Sequence, residues 1–434
     1  MGVWPAEDFR LDPDFKTAVT IVALVLGGLA AIAAYTAIRD REPVLPAYAL
    51  GGAAAFALVY ALGSPWIDGK GMSIVSPALL SAALAGAVLL VQRTSHNVEG
   101  WLAGALAAGL ILYTSLLFYQ GVFLAPREEH RELERIGERF EGEGPALMTE
   151  GSVYGPRHFL RRLDAENAKD LRRRQVPLAD GGLPDELPYL DTDAIATASL
   201  QPYDLLVLRR SPVASRPPGD FGLVEAGTYY EVWKRGGPGA GAASPANRLP
   251  LGEPPLQSSA VPDCETVRAL ADGAGPNGTL LAARPRDGSV LDLSGASLPA
   301  SWQSTGSTFT PDSPGTAEID AQVGTDGEYT VWVGGNVHGE LAVSAGGRTA
   351  APRRQALNIG LYEPFGPFEL SQGTETIALD YSEGPHPGSG ADPTPIGPIL
   401  LERIQPDDRG TVSVSTSSYR QLCDEPWDWI EASG

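Results

Sequence analysis

TAVTIVALVLGGLAAIAAYTAI, residues 17–38, runs for 22 residues without Asp, Glu, Lys or Arg. A helix needs about 20 such residues to cross a hydrocarbon layer ~30 Å thick. Three further stretches repeat the pattern, Ala47–Leu62, Ser73–Val91 and Trp101–Phe123. Soluble amphipathic helices carry a polar stripe, and these stretches show almost none. Residues 1–125 therefore predict four transmembrane helices, and about 310 residues of more polar chain come after them.

The loops set an orientation. Arg39 and Arg41 lie between the first two spans, and Arg93 with His96 between the last two. The opposite loops carry Glu7, Asp8, Asp12 and Asp14 or the single base Lys70. Lys and Arg favour the cytoplasmic side, so both termini are expected outside a plasma membrane. No cleavable signal peptide is evident, because an acidic segment precedes the first apolar run.

Charge divides the chain in the same place. Up to residue 125 there are 8 acids against 6 bases, leaving 45 against 26 in the tail. A tail with a net charge of −19 is a poor reader of nucleic acid. The only two cysteines, Cys264 and Cys423, lie in this tail. Outside the cytoplasm a disulfide between them is permitted; two unrelated buried thiols are the alternative.

Within 126–235 the pattern predicts an extracytoplasmic α/β module on the membrane face. Leu133, Ile136 and Phe140 recur at helical spacing among mixed charges. Pro145–Glu150 and Tyr203–Arg210 read as strands, Gly155–Leu163 and Ala165–Arg174 as short helices, and Phe221–Glu225 with Thr228–Lys234 as a hairpin. Residues 236–255, dominated by Gly, Pro, Ala and Ser, read as a linker. Residues 256–434 then predict an all-β sandwich of jelly-roll type. Alternating strands are expected at Ala317–Val323, Gly327–Val333, Glu340–Ala345, Thr376–Tyr381 and Pro398–Ile404. Gly334-Gly335 reads as a turn. With a linker before it, the piece from about Leu249 onward is expected to fold alone.

Several strings carry a resemblance: GVWPAEDFR (2–10), SPWIDGKGMSIVSP (64–77), LAPREEHRELERIGERFEGEGPALMTE (124–150), YGPRHFLRRLD (154–164), YDLLVLRRSPVASRPP (203–218), YYEVWKR (229–235) and LCDEPWDWIE (422–431). The arrangement resembles polytopic envelope proteins of high-GC Gram-positive bacteria that look like GT-C-superfamily glycosyltransferases. That resemblance implies polyprenyl-phosphate-sugar donors, an envelope polysaccharide as acceptor, and a role in envelope glycan biosynthesis. Such enzymes have about eight or more spans and a catalytic carboxylate in the first extracytoplasmic loop. This chain looks like their C-terminal part, with the catalytic half absent or encoded as a separate membrane subunit. A non-catalytic, membrane-anchored carbohydrate-binding or scaffolding protein is the alternative.

Four groups of residues are candidates for a site. Glu7, Asp8, Asp12 and Asp14, just outside the first span, are either general bases and ion ligands or an ordinary solvated acidic loop. Lys70 and Arg127 lie where a cation can meet a lipid phosphate, or serve only as interfacial anchors. Trp332 alternates with Val331 and Val333 and so faces away from them. With Trp302, Asn336, Asn358 and Tyr362 it makes a candidate saccharide platform, against core packing of the same aromatics. The arginines at 157, 161, 162 and 172–174 either meet the membrane surface or pair with acids of the preceding helix. No Walker loop, nucleophile elbow or cysteine-pair zinc motif occurs. His338 and His386 have no ligand spacing around them. No metal and no cofactor are expected.

Overall fold

A computed structural model describes residues 16–62, 65–93, 127–151, 155–168, 173–184, 190–241, 247–252, 259–356, 361–382, 394–404 and 410–433, with scattered residues from 98 to 116. Three helices, α1 (Lys16–Arg39), α2 (Val44–Leu62) and α3 (Pro65–Arg93), are long and apolar enough to cross a membrane. The described residues of the fourth stretch are helical, and the rest of it lies outside the described residues. Ala33, Ala82, Ala83 and Ala87 are buried, while Leu24, Ile74 and Leu84 stay exposed. Small residues bring helix backbones together in lipid. At Gly86 a Cβ would stand 2.0 Å from the Leu29 carbonyl oxygen, so α1 and α3 require glycine there.

The remaining chain begins with α4 (Arg127–Arg139). Its stripe of Leu133, Ile136 and the following Phe140 packs on Met148, Leu205, Val207 and Val232. Those residues come from β1 (Ala146–Met148), β3 (Leu205–Arg209) and β5 (Tyr230–Arg235), which share a sheet with β2 (Glu166–Asn167) and β4 (Phe221–Ala226) in the order β2-β1-β3-β5-β4. β1 is parallel to β2 and β3, and the β4–β5 hairpin is antiparallel. Leu147, Leu206, Leu208 and Trp233 fill the other face, so β3 is buried on both sides. Glu132 of α4 accepts backbone hydrogen bonds from Thr228 (3.1 Å), Tyr229 (2.9 Å) and Tyr230 (2.7 Å), which fixes the hairpin turn.

Where the sequence reads as linker, Asn247–Pro250 forms strand β6. A helix, α5 (Cys264–Ala274), comes next, and Asp263 caps it by accepting from the Thr266 N–H at 3.0 Å. Then comes β7 (Thr279–Ala283).

The sandwich is built from β8 (Gly288–Val290), β9 (Gln303–Thr305), β10 (Thr308–Thr310), β11 (Gly315–Val323), β12 (Gly327–Ala345), β13 (Arg348–Thr349), β14 (Arg353–Ala356), β15 (Tyr362–Leu370), β16 (Gly373–Ser382) and β17 (Ile396–Arg403). The two predicted strands at 327–333 and 340–345 are one 19-residue strand that belongs to both sheets. Its first half pairs with β15 and β17, its second half with β14 and β16. Gly334-Gly335 is therefore not a turn but the crossing point. Gly335 has φ 86°, and a Cβ there would meet the Pro395 carbonyl oxygen at 2.4 Å. Ala317, Ile319, Val331, Val333, Val343, Ile377, Leu379 and Leu401 fill the space between the sheets. Burial contributes about 1.5–3 kcal/mol for each large side chain.

β18 (Thr411–Ser415) and β19 (Trp429–Ser433) leave the sandwich and join β7 and β6 in a sheet ordered β18-β7-β19-β6. Helix α5 packs on it through Val267 and Ala271. Cys264 and Cys423 form a disulfide across a separation of 159 residues, tying α5 to the segment before β19.

Candidate functional site

The residues singled out from the sequence do not form one platform. Trp332 faces away from the sandwich core as its alternation predicts, but it is 1% exposed. Its ring is covered by Val213 and packs beside Tyr362 and Leu400, so it offers no free face to a sugar. Tyr362 is buried in the same cluster, and burial pushes its phenol up to about 12. Trp302 lies on the opposite side, stacked on Phe309 at 5.3 Å, with its indole N–H donating to the Ser313 carbonyl at 2.9 Å. Asn336 is half-buried at the crossing in β12, where its carbonyl accepts from Thr394 Oγ1 at 2.8 Å. Asn358 and the acids Glu7, Asp8, Asp12 and Asp14 lie outside the described residues. Lys70 falls within α3, and Arg127 is the exposed first residue of α4. Of the arginine cluster, Arg161 pairs with Glu134 at 3.0 Å and Arg162 with Glu141 at 3.5 Å, acids of α4 and the turn after it. Arg173 and Arg174 instead share the buried Glu166.

What buries Trp332 is the segment after β3, Ser211 to Arg216, which no periodicity marks. It runs between the module sheet, the sandwich and the β18-β7-β19-β6 sheet. Val213 covers the sandwich, Ser215 N–H donates to Asp191 at 3.0 Å, and Arg216 N–H donates to Asp428 at 2.7 Å. Trp429 Nε1 donates to the Arg216 carbonyl at 2.9 Å. Buried charges line the same seams. Arg209 meets Glu129 at 2.7 Å and Glu363 at 3.5 Å, and Arg248 pairs with both Asp193 and Glu431. Burial raises Asp428 well above the usual carboxylate range, with Asp193 adding to the effect.

At one of these seams a cleft of about 600 Å³ opens between the β4–β5 hairpin, the loop after β7 and the ends of β17 and β18. Arg210, Glu231, Arg284, Arg286, Glu402 and Arg403 supply its polar wall. Arg286 grips Glu231 with two parallel hydrogen bonds, 2.9 and 2.8 Å, and donates from Nε to the Ala214 carbonyl at 3.2 Å. Arg210 lies 3.7 Å from the same Glu231, with its guanidinium 5.3 Å from the centre of the Trp332 ring. Burial opposes the charge of Glu231, but Arg286 and Arg210 outweigh it and hold the carboxyl at about 2. Glu402 accepts the Trp332 indole N–H at 2.8 Å. There burial wins over both arginines and raises the carboxyl above its ordinary value. Arg284 stands at the mouth, 58% exposed, over the Trp427 ring and 3.6 Å from Glu425. Such a wall presents guanidinium donors to a hydrogen-bonding or anionic ligand, with Leu223 and Ile404 as apolar neighbours.

None of these cleft residues stood out in the sequence. The available signals were Arg284-Pro285-Arg286-Asp287 directly after an apolar strand and the lone Glu402 closing the run Ile399-Leu400-Leu401.

No family model and no curated protein matches the chain. Among solved structures, a family 35 carbohydrate-binding module from Clostridium thermocellum is similar at 11% identity, covering 27% of this chain and 98% of that one, with a TM-score of 0.20. A family 35 module from an environmental isolate is similar at 12% identity over 31% of this chain and 97% of that one, with a TM-score of 0.17. The PA14 domain of the MpAFP antifreeze protein is similar at 13% identity over 38% and 87%, with a TM-score of 0.16. Likeness at TM-scores this low carries no functional argument; the chemistry of the cleft rests on its own residues.

Proposed function

We propose that this chain is a membrane-anchored carbohydrate-binding protein whose glycan site is the cleft lined by Arg210, Arg284 and Arg286. The observation that supports it is the cleft itself. Its volume suits a ligand of about disaccharide size, and its wall alternates planar donors, carboxylate acceptors and apolar side chains. Sugars present the same alternation of hydroxyls and apolar ring faces. The sandwich and module then act together as a scaffold, with α1–α3 as the anchor.

A second reading, as part of or partner to a GT-C-type glycosyltransferase, is favoured by the sequence strings at 64–77 and 124–150. On that reading the chain holds envelope polysaccharide beside a separate catalytic membrane subunit, with polyprenyl-phosphate sugar near Lys70 and Arg127. Full-length protein in detergent, passed over immobilised envelope polysaccharide, tests both readings. Retention of wild type but not of Arg284→Ala is expected. Absence of retention would sink the carbohydrate-binding reading, and co-elution of a polytopic membrane protein would favour the second.

A further inference from the structure

We infer that the cleft takes an acidic saccharide, one bearing a carboxylate or phosphate, whose anionic group is received by Arg284 at the mouth. This inference rests on the carbohydrate-binding reading and adds the class of ligand.

The tail carries 45 acids against 26 bases, yet this wall holds four arginines, at 210, 284, 286 and 403, against Glu231, Asp287 and Glu402. Deep in the cleft, Arg210 and Arg286 share the single firmly ionised Glu231. Glu402, which also faces both arginines, accepts the Trp332 indole N–H at 2.8 Å, and burial raises its carboxyl above the ordinary value. Both deep carboxylates are already engaged by protein donors, so the exposed Arg284 is a guanidinium placed to meet a ligand.

Arg284 is placed differently. Its guanidinium is held over Trp427, and its acidic neighbour Glu425 is as exposed as itself, both at 58%, with a gap of 3.6 Å. Exposed ion pairs of that kind are weak. An incoming carboxylate or phosphate can take the place of Glu425 without disturbing any buried bond. The planar guanidinium fork matches two oxygens of such a group at once. Ile404, 38% exposed, and Leu223 border the same space and can meet an apolar ring face.

Calorimetric titration of the full-length protein in detergent micelles tests this with three probes: a uronic-acid disaccharide, the neutral disaccharide of the same linkage, and inorganic phosphate. The acidic disaccharide should bind at least tenfold more tightly than the neutral one. Arg284→Ala should abolish that difference with an unchanged melting temperature, and Arg284→Lys should keep part of it. Equal affinity for the two disaccharides, or an acidic preference that survives Arg284→Ala, overturns the inference and leaves the carbohydrate-binding reading standing. Binding of phosphate with neither disaccharide overturns the carbohydrate-binding reading instead and leaves only an anion site. If no probe binds, both fall.

Discussion

Arg209 of β3 lies 3.5 Å from Glu363 of β15, 154 residues further along the chain, with its side chain 1% exposed. Glu129 of α4 takes the same guanidinium at 2.7 Å. One buried cation thus holds three distant segments. Removing one member of such a group leaves uncompensated charge in the interior, at a cost of about 3–5 kcal/mol. Arg209→Ala should lower the melting temperature of the full-length protein in detergent by roughly 10 °C. A shift within error would mean that these charges are hydrated in solution.

The covered face of Trp332 makes a second prediction. A piece beginning at Leu249 lacks Val213, Arg209, Arg216 and Arg248, and so takes one partner each from Trp332, Glu363, Asp428 and Glu431. Expressed in an oxidising compartment, it should aggregate, whereas a piece beginning at Arg127 should melt cooperatively. The module and the sandwich have separate hydrophobic cores, but Val213 and the Arg209–Glu363 pair join them across the Gly/Pro/Ser-rich stretch. A soluble, cooperatively melting 249–434 piece would refute this.

Thiol labelling of unreduced, denatured protein should find neither Cys264 nor Cys423 free. Closing a loop across a separation of 159 residues stabilises the fold by at most about 5 kcal/mol in the chain-entropy picture. The Cys264→Ala, Cys423→Ala double variant should therefore unfold at clearly lower denaturant. An unchanged midpoint would show that the strands β7 and β19 hold this region unaided.

Acidity should act through the seam at Asp191. Burial, with Asp193 adding to it, pushes this carboxyl up to about 6 from 3.8. A raised folded value means that the folded state holds the proton more tightly. The stability this supplies is whole below 3.8 and lost as pH rises through about 6, a change of about 3 kcal/mol. Glu231 has the opposite sign, and its contribution is lost only as pH falls from 4.5 through about 2. Urea midpoints between pH 4 and 6.5 should decline for wild type and flatten for Asp191→Asn. Equal slopes in the two proteins would remove Asp191 from the account.

Orientation is testable by fusion. Alkaline phosphatase joined after Arg235 should be active and joined after Arg41 inactive, as the Arg39, Arg41 and Arg93 loops predict. The reverse pair of activities would invert the topology.

Local physics was legible in the sequence and long-range coverage was not. Leu133, Ile136 and Phe140 announced α4, Tyr203–Arg210 announced β3, and the alternation in 317–323 announced β11, because each pattern is written within a few neighbouring residues. The same alternation aimed Trp332 outward correctly. What lies over it depends on Val213, 119 positions earlier, in a segment with no periodicity. The strand at Asn247–Pro250 was hidden for a similar reason: it is made by pairing with β19 at the far end of the chain. The cleft escaped notice because its residues come from four separated stretches, each an ordinary charge beside a strand end.

β12 imposes an order on biosynthesis. Each of its neighbours, β13 to β17, is encoded after it, the last ending at Arg403. A ribosome adding about 5–20 residues per second needs roughly 3–12 s to travel from Ala345 to Arg403. For that interval a 19-residue strand rich in valine waits with open edges. The nascent chain must be kept from pairing with other chains until its own second half arrives, and Cys264 must wait longer still for Cys423.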